Sequence, residues 1–136
     1  MWAIPFMCAS MAGRGKLSPE VMDTLQNVYL LNADDKFEPA VNPMNRYSTI
    51  GKGLSWQQLG PAYGFAKAMA SKKHPVGLIV NARGGSSIRS WGKDAKQSGG
   101  YYDEAIRRAK EAMKYGTLKA IIWHQGEADC HHPEAY

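Results

Sequence analysis

The chain has 136 residues, 44% hydrophobic and 21% charged, the composition of one ordinary soluble domain large enough to bury a core. Its 17 Lys and Arg against 12 Asp and Glu give a formal charge of +5, yet the basic residues are dispersed, without the block or the aromatic interleaving of a nucleic-acid surface. No run reaches the roughly 18–20 apolar residues of a membrane-spanning helix, so neither nucleic acid nor membrane is an expected partner.

Residues 3–8 form a short apolar run that gives way to small residues and then to Gly13-Arg14-Gly15. The run lacks a basic n-region and is interrupted by Pro5, so it makes a poor signal peptide and reads as a buried strand entering a loop. Val28-Tyr29-Leu30-Leu31 is a second apolar segment, and Asn32-Ala33-Asp34-Asp35 is turn chemistry leading into Lys36-Phe37-Glu38-Pro39-Ala40. The pattern is that of a hairpin-like excursion. Residues 42–59 carry Pro, Gly, Asn and Ser without periodicity and read as an irregular surface loop.

Gly60-Pro61 opens a helix with an apolar stripe of Tyr63, Phe65, Ala66, Met69 and Ala70, expected to end near Lys72-Lys73-His74-Pro75. Residues 76–80 are uninterruptedly apolar, as a strand covered on both faces requires, and run into Asn81-Ala82-Arg83-Gly84-Gly85-Ser86-Ser87. Residues 101–115 follow as an amphipathic helix, with Ile106, Ala109, Ala112 and Met113 on one face, Glu104 four residues before Arg108, and Gly116 as its stop. Residues 118–123 complete the series as a further buried strand, expected to neighbour 76–80. Two helix-then-strand units argue for a parallel sheet flanked by helices, whose loops after Cys8, Val80 and Trp123 line one crevice.

Trp123-His124-Gln125-Gly126-Glu127-Ala128-Asp129 concentrates an imidazole, an amide and two carboxylates at one strand end. Such a cluster suits a reactive site; equally, Glu127 or Asp129 could cap a following helix. Gly84-Gly85-Ser86 offers backbone N–H groups and hydroxyls suited to an oxyanion or to a tight turn. Gly13-Arg14-Gly15 lacks the Lys-Ser or Lys-Thr of a phosphate loop and is no dinucleotide fingerprint. His131 and His132, beside Cys130 and Asp129, have no second half-site at ligand spacing, so no metal is expected there. The two cysteines, Cys8 and Cys130, suggest neither a disulfide framework nor a zinc site.

Taken in order, these segments resemble carbohydrate esterase family six and the wider sialate O-acetylesterase group of the SGNH-type hydrolases. The resemblance rests on Ser10-Met11-Ala12-Gly13-Arg14-Gly15, Leu31-Asn32 with Phe37-Glu38-Pro39-Ala40, and Gly60-Pro61 with Gly64-Phe65-Ala66. It continues in Gly77-Leu78-Ile79 with Ala82-Arg83-Gly84-Gly85-Ser86-Ser87-Ile88 and Trp91, and in Trp123-His124-Gln125-Gly126-Glu127. These pieces cover nearly the whole chain. The resemblance implies an α/β three-layer sandwich with a mostly parallel central sheet, flavodoxin-like and incomplete, with residues 1–136 the N-terminal portion of one esterase domain.

The activity it implies is serine hydrolysis of an acetyl ester on a carbohydrate, such as acetylated xylan or a sialylated glycan, with no metal or organic cofactor. By the same resemblance Gly84 gives an oxyanion its backbone N–H and Gln125 its side-chain amide, Glu127 orients the catalytic histidine, and Arg14 and Trp91 contact substrate. His124 is then a structural neighbour rather than the base. Two departures bear on catalysis. Where the family reads Gly-Gln-Ser-Asn-Met-Ala-Gly, this chain reads Met7-Cys8-Ala9-Ser10-Met11-Ala12-Gly13, so the nucleophile's place falls on Ala9, and Ser10 serves only if the local register slips. The family's Asp-x-x-His element near its C-terminus has no counterpart here. Three explanations fit: a shifted or truncated reading frame, which the unusual segment before Met11 favours; a fragment completed by a second chain that supplies the C-terminal part; or a binding remnant without catalysis. Catalysis is expected to be very weak. The competing expectation is a non-catalytic carbohydrate-binding module in which Trp91, Trp56 and Tyr101 act as stacking platforms.

Overall fold

The computed structural model describes the backbone of residues 2–8 and the whole of residues 13–48, 57–95 and 100–136. Its strands are β1 (Trp2–Cys8), β2 (Val28–Leu31), β3 (Phe37–Pro39), β4 (Val76–Ala82), β5 (Thr117–Leu118) and β6 (Ile122–His124), with helices α1 (Pro61–Met69) and α2 (Tyr101–Met113) between them. The architecture is mixed α/β, with strand order β3-β2-β4-β1-β5 and β6 also paired to β1. β1 runs parallel to β4, β5 and β6, and β4 parallel to β2, while β2 and β3 form an antiparallel pair. Among the described residues no helix is long and apolar enough to cross a membrane.

β4 is the most enclosed strand, with all seven residues buried. Its alternate side chains reach different layers. Val76, Leu78 and Val80 join Val28, Leu30 and the α1 residues Ala62, Tyr63 and Ala66 in one cluster. Ile79 instead packs with Leu31 and Ala112 of α2. Because successive side chains of a strand point to opposite faces, α1 and α2 cover opposite faces of the sheet. Burial of each such aliphatic side chain contributes roughly 1.5–3 kcal/mol.

The strand expected over residues 118–123 differs from its sequence reading in two ways. It does not neighbour β4, because β1 lies between them. It is also broken in two and largely exposed, with Ile121 at 55% and Trp123 at 40%. The registers explain the break. Ala3 pairs with Leu118 and Phe6 with Ile122, so three steps along β1 face four steps along the other strand. The extra residue falls beside Pro5, which has no N–H to offer a ladder. The proline thus sits where β1's pairing with β5 and β6 is interrupted by a bulge-like insertion.

The helices also depart in detail from their sequence patterns. α1 begins as expected at Pro61 but stops at Met69, with Ala70 already extended. Ser71 takes over the next backbone groups: its hydroxyl accepts the His74 N–H at 3.1 Å, closing a local turn that competes with helix continuation. In α2 the arginine hydrogen-bonded to Glu104 is Arg107, three residues on rather than four. Arg107 binds Glu104 through Nε at 2.9 Å and also engages Asp35, whereas Arg108 is 1% exposed. Arg108 instead donates to the carbonyl of Leu31 at 2.8 Å and to that of Tyr47, tying α2 to the end of β2 and to the 42–48 segment. Burial lowers the Arg108 pKa from its ordinary value.

Candidate functional site

Parallel pairing brings three strand ends together. Cys8 pairs with Ala82 and also with His124, so the segments that follow β1, β4 and β6 leave the sheet along one edge. This is the edge where an open α/β sheet places a ligand. Ser10 and its neighbour Ala9 lie outside the described residues, as does Trp56. The loops after β4 and β6 are described completely.

The β4 loop is fixed from both sides. Ser48 donates its hydroxyl to the Ala82 carbonyl at 2.9 Å and accepts the Ala82 N–H at 2.6 Å, clamping the strand end just before the loop. Gly84 and Gly85 form an exposed turn, in which Gly85 has φ 70°, a left-handed conformation that glycine adopts without strain. Ser86 then turns inward: its hydroxyl donates to the Arg83 carbonyl at 2.9 Å and accepts the Trp91 indole N–H at 2.9 Å.

Trp91 is only 6% exposed. Its ring meets Trp123 edge-on, with centroids 5.1 Å apart at 90°, and leans on Tyr101 at 5.3 Å. Trp91, read from the sequence as a substrate contact or stacking platform, is buried here, its ring against Trp123 and Tyr101 and its indole N–H on Ser86. Its partner Trp123, expected in a buried strand, is the indole that reaches solvent.

Gln125 joins the two loops. Its Nε2 donates to the Ser86 carbonyl at 2.8 Å and to Asp129 Oδ2 at 2.7 Å, while its Oε1 accepts from the Tyr136 hydroxyl. Asp129 is 6% exposed, and the same Oδ2 accepts the Ile88 N–H at 2.7 Å. The Gln125 amide foremost, then the Ser87 hydroxyl and the Ile88 N–H, hold the Asp129 carboxyl below its ordinary range. Asp129 thus accepts the first N–H of the short 3-10 turn Ile88–Trp91 of the opposite loop, whose N-cap is Ser87.

The remaining site residues of the sequence reading are Glu127 and Arg14. Glu127 is exposed, with Oε1 3.9 Å from Nδ1 of His124. Arg14 is exposed; the glycine after it exchanges both backbone bonds with Leu59, at 2.8 and 2.9 Å. A Cβ on Gly15 would come within 3.1 Å of the Leu59 carbonyl oxygen, so the Gly13-Arg14-Gly15 pattern serves close backbone approach here. His132 Nδ1 lies 3.1 Å from Glu134 Oε1, and both side chains line an open cleft of about 470 Å³ with Ser87, Arg89 and Asp129. Among the described residues no group of three His, Cys, Asp or Glu side chains is arranged to hold a metal ion. Sequence reasoning missed the Ser48 clamp and the latch between Gln125 and Asp129. The four-residue spacing of Gln125 and Asp129 across a glycine was the available signal for the latch.

Residues 9–136 match the family described as carbohydrate esterase, sialic acid-specific acetylesterase. A relative from Arabidopsis thaliana described as a probable carbohydrate esterase is 28% identical over 94% of this chain and 55% of its own length. An X-ray structure of an Arabidopsis thaliana protein at 1.6 Å resolution superposes with a TM-score of 0.79 at 27% identity, covering 94% of this chain and 58% of that one. The chain therefore spans somewhat more than half the length of the relatives it matches.

Proposed function

The chain belongs to the carbohydrate esterase, sialic acid-specific acetylesterase family, and from that membership we propose that it carries the sheet and oxyanion loops of a carbohydrate O-acetylesterase whose catalysis is impaired. In this reading residues 1–136 are the N-terminal portion of a three-layer SGNH-type domain with a mostly parallel sheet, and the substrate is an acetyl ester on xylan or on a sialylated or other glycan. The single observation that carries the reading is the meeting of the β4 and β6 loops at one sheet edge, joined through Gln125 and Ser86 at 2.8 Å. Two backbone segments held that closely beside the end of β1 are what a nucleophile following β1 requires as a partner surface.

The chemistry is acyl transfer. A hydroxyl attacks the acetyl carbonyl while a base takes its proton, and N–H donors near the exposed Gly84–Gly85 turn meet the oxygen as it becomes negative; the ester C–O bond then breaks, the sugar oxygen leaves with that proton, and water releases acetate from the acyl-enzyme. Impairment follows from the sequence: Ala9 stands at the nucleophile's place in the family motif, with Ser10 one residue later. Glu127 keeps the place of the acid that orients the histidine, and Arg14 that of a substrate contact. The histidine of the family's Asp-x-x-His element would come from a second chain or a further segment.

A second reading, a carbohydrate-binding module without catalysis, is favoured by one observation: Trp123 is 40% exposed and its ring is braced edge-on by Trp91. A rigid indole of this kind suits stacking against a sugar ring. Acetate release from acetylated xylan, measured alongside quenching of tryptophan fluorescence by acetylated xylo-oligosaccharides, separates the two. Binding with weak release supports the impaired esterase; binding with no release, lost in Trp123→Ala, supports the module; neither one refutes both.

A further inference from the structure

Gln125 is the side chain to which the family resemblance gives an oxyanion role, yet its amide is fully occupied inside the protein. A primary amide nitrogen carries two hydrogens. Here one goes to the Ser86 carbonyl and the other to Asp129 Oδ2, at 2.8 and 2.7 Å. The orientation of the amide follows from its surroundings. Turned over, the Gln125 carbonyl oxygen would face another carbonyl and a carboxylate, three acceptors with no hydrogen among them. Asp129 fixes the amide a second way, because the same Oδ2 that takes Gln125 also takes the Ile88 N–H at 2.7 Å and so secures the loop that carries Ser86. Asp129 as a residue is 6% exposed, at the wall of the cleft that His132 and Glu134 also line.

We infer that Asp129 is a positioning residue that locks the Gln125 amide as a strut between the β4 and β6 loops, so that Gln125 can donate to an oxyanion only by giving up Asp129 or Ser86. The oxyanion donors at this edge are then backbone N–H groups, and Gln125 sets the distance between the loops that present them. The inference deepens the esterase reading and rests on it only for the word oxyanion. The lock itself is a property of the folded chain, whether or not the chain hydrolyses anything.

The test is nuclear magnetic resonance of the Gln125 side-chain amide in the ¹⁵N-labelled chain. Both Nε2 protons are expected to exchange slowly with water, and their resonances to hold steady as pH falls through the ordinary aspartate range, moving only below it together with the Ile88 N–H. Asp129→Asn is expected to speed their exchange by roughly tenfold or more, the factor for losing one charge-assisted bond. Acetate added at neutral pH is expected to leave the wild-type resonances in place. Fast exchange in the wild type, or a shift on adding acetate while Asp129 stays ionised, would overturn the inference, because either means the amide is free. Should Asp129→Asn not fold, the exchange, pH and acetate measurements on the wild-type chain still decide. A chain that shows the lock yet neither binds acetylated xylo-oligosaccharides nor releases acetate refutes the esterase reading alone.

Discussion

Trp91 anchors the loop that follows β4: its indole N–H is bound by Ser86 and the residue is 6% exposed. Trp91→Phe keeps most of the packing and removes that hydrogen bond, so it is expected to cost about 1 kcal/mol, whereas Trp91→Ala should cost about 3–5 kcal/mol; urea denaturation checks both. Gly85→Ala isolates a backbone effect, since nothing lies within 4 Å of the added Cβ while φ is 70°. A loss of about 1–2 kcal/mol is expected from the left-handed conformation alone. Asp129 sets a pH dependence whose sign is determined. Its pKa is lower in the folded chain than unfolded, so its stabilisation is present above the ordinary value of 3.8 and is lost as pH falls through the lower folded value. Thermal melts from pH 6 downward should therefore fall more steeply in acid for the wild type than for Asp129→Asn.

At the scale of elements, most of what is buried was legible in the sequence and most of what is interrupted was not. The five-residue apolar run 76–80 of β4 carries its own evidence, because an apolar strand with no polar alternation must be covered on both faces. The 118–123 segment, apolar but for Lys119, was read as one buried strand, whereas its pairing is interrupted beside Pro5, a residue more than a hundred positions away that the local pattern does not contain. Arg108 is a related case. Spacing offered it Glu104, but burial made two carbonyls its partners, which no helix-face rule can foresee. Arg108→Met should leave the carbonyls of Leu31 and Tyr47 without donors and cost roughly 2–4 kcal/mol, read from the shift of a urea unfolding midpoint. Amide hydrogen exchange offers a further check, with β4 expected among the slowest amides and β5 and β6 among the fastest, beside the break at residues 119–121.

Across the whole molecule, the family could be read from five motifs in order, and the residues it matches, 9–136, leave out little of this chain. The working parts of the site were less accessible to sequence. Motif matching assigns Gln125 by position, whereas the bonds of its amide depend on where Ser86 and Asp129 come to lie. The chain spans 55% of the length of its Arabidopsis relative and 58% of the solved structure it resembles. A serine hydrolase needs nucleophile, base and oxyanion donors together, and removing a triad member leaves only about 10³ to 10⁴-fold acceleration over water. The most direct measurement is hydrolysis of p-nitrophenyl acetate and acetylated xylan by the purified chain and by Ser10→Ala. An impaired esterase predicts turnover indistinguishable from that of the Ser10→Ala variant on both substrates. Robust turnover abolished by Ser10→Ala would contradict it and show that Ser10 has found a base and serves as the nucleophile.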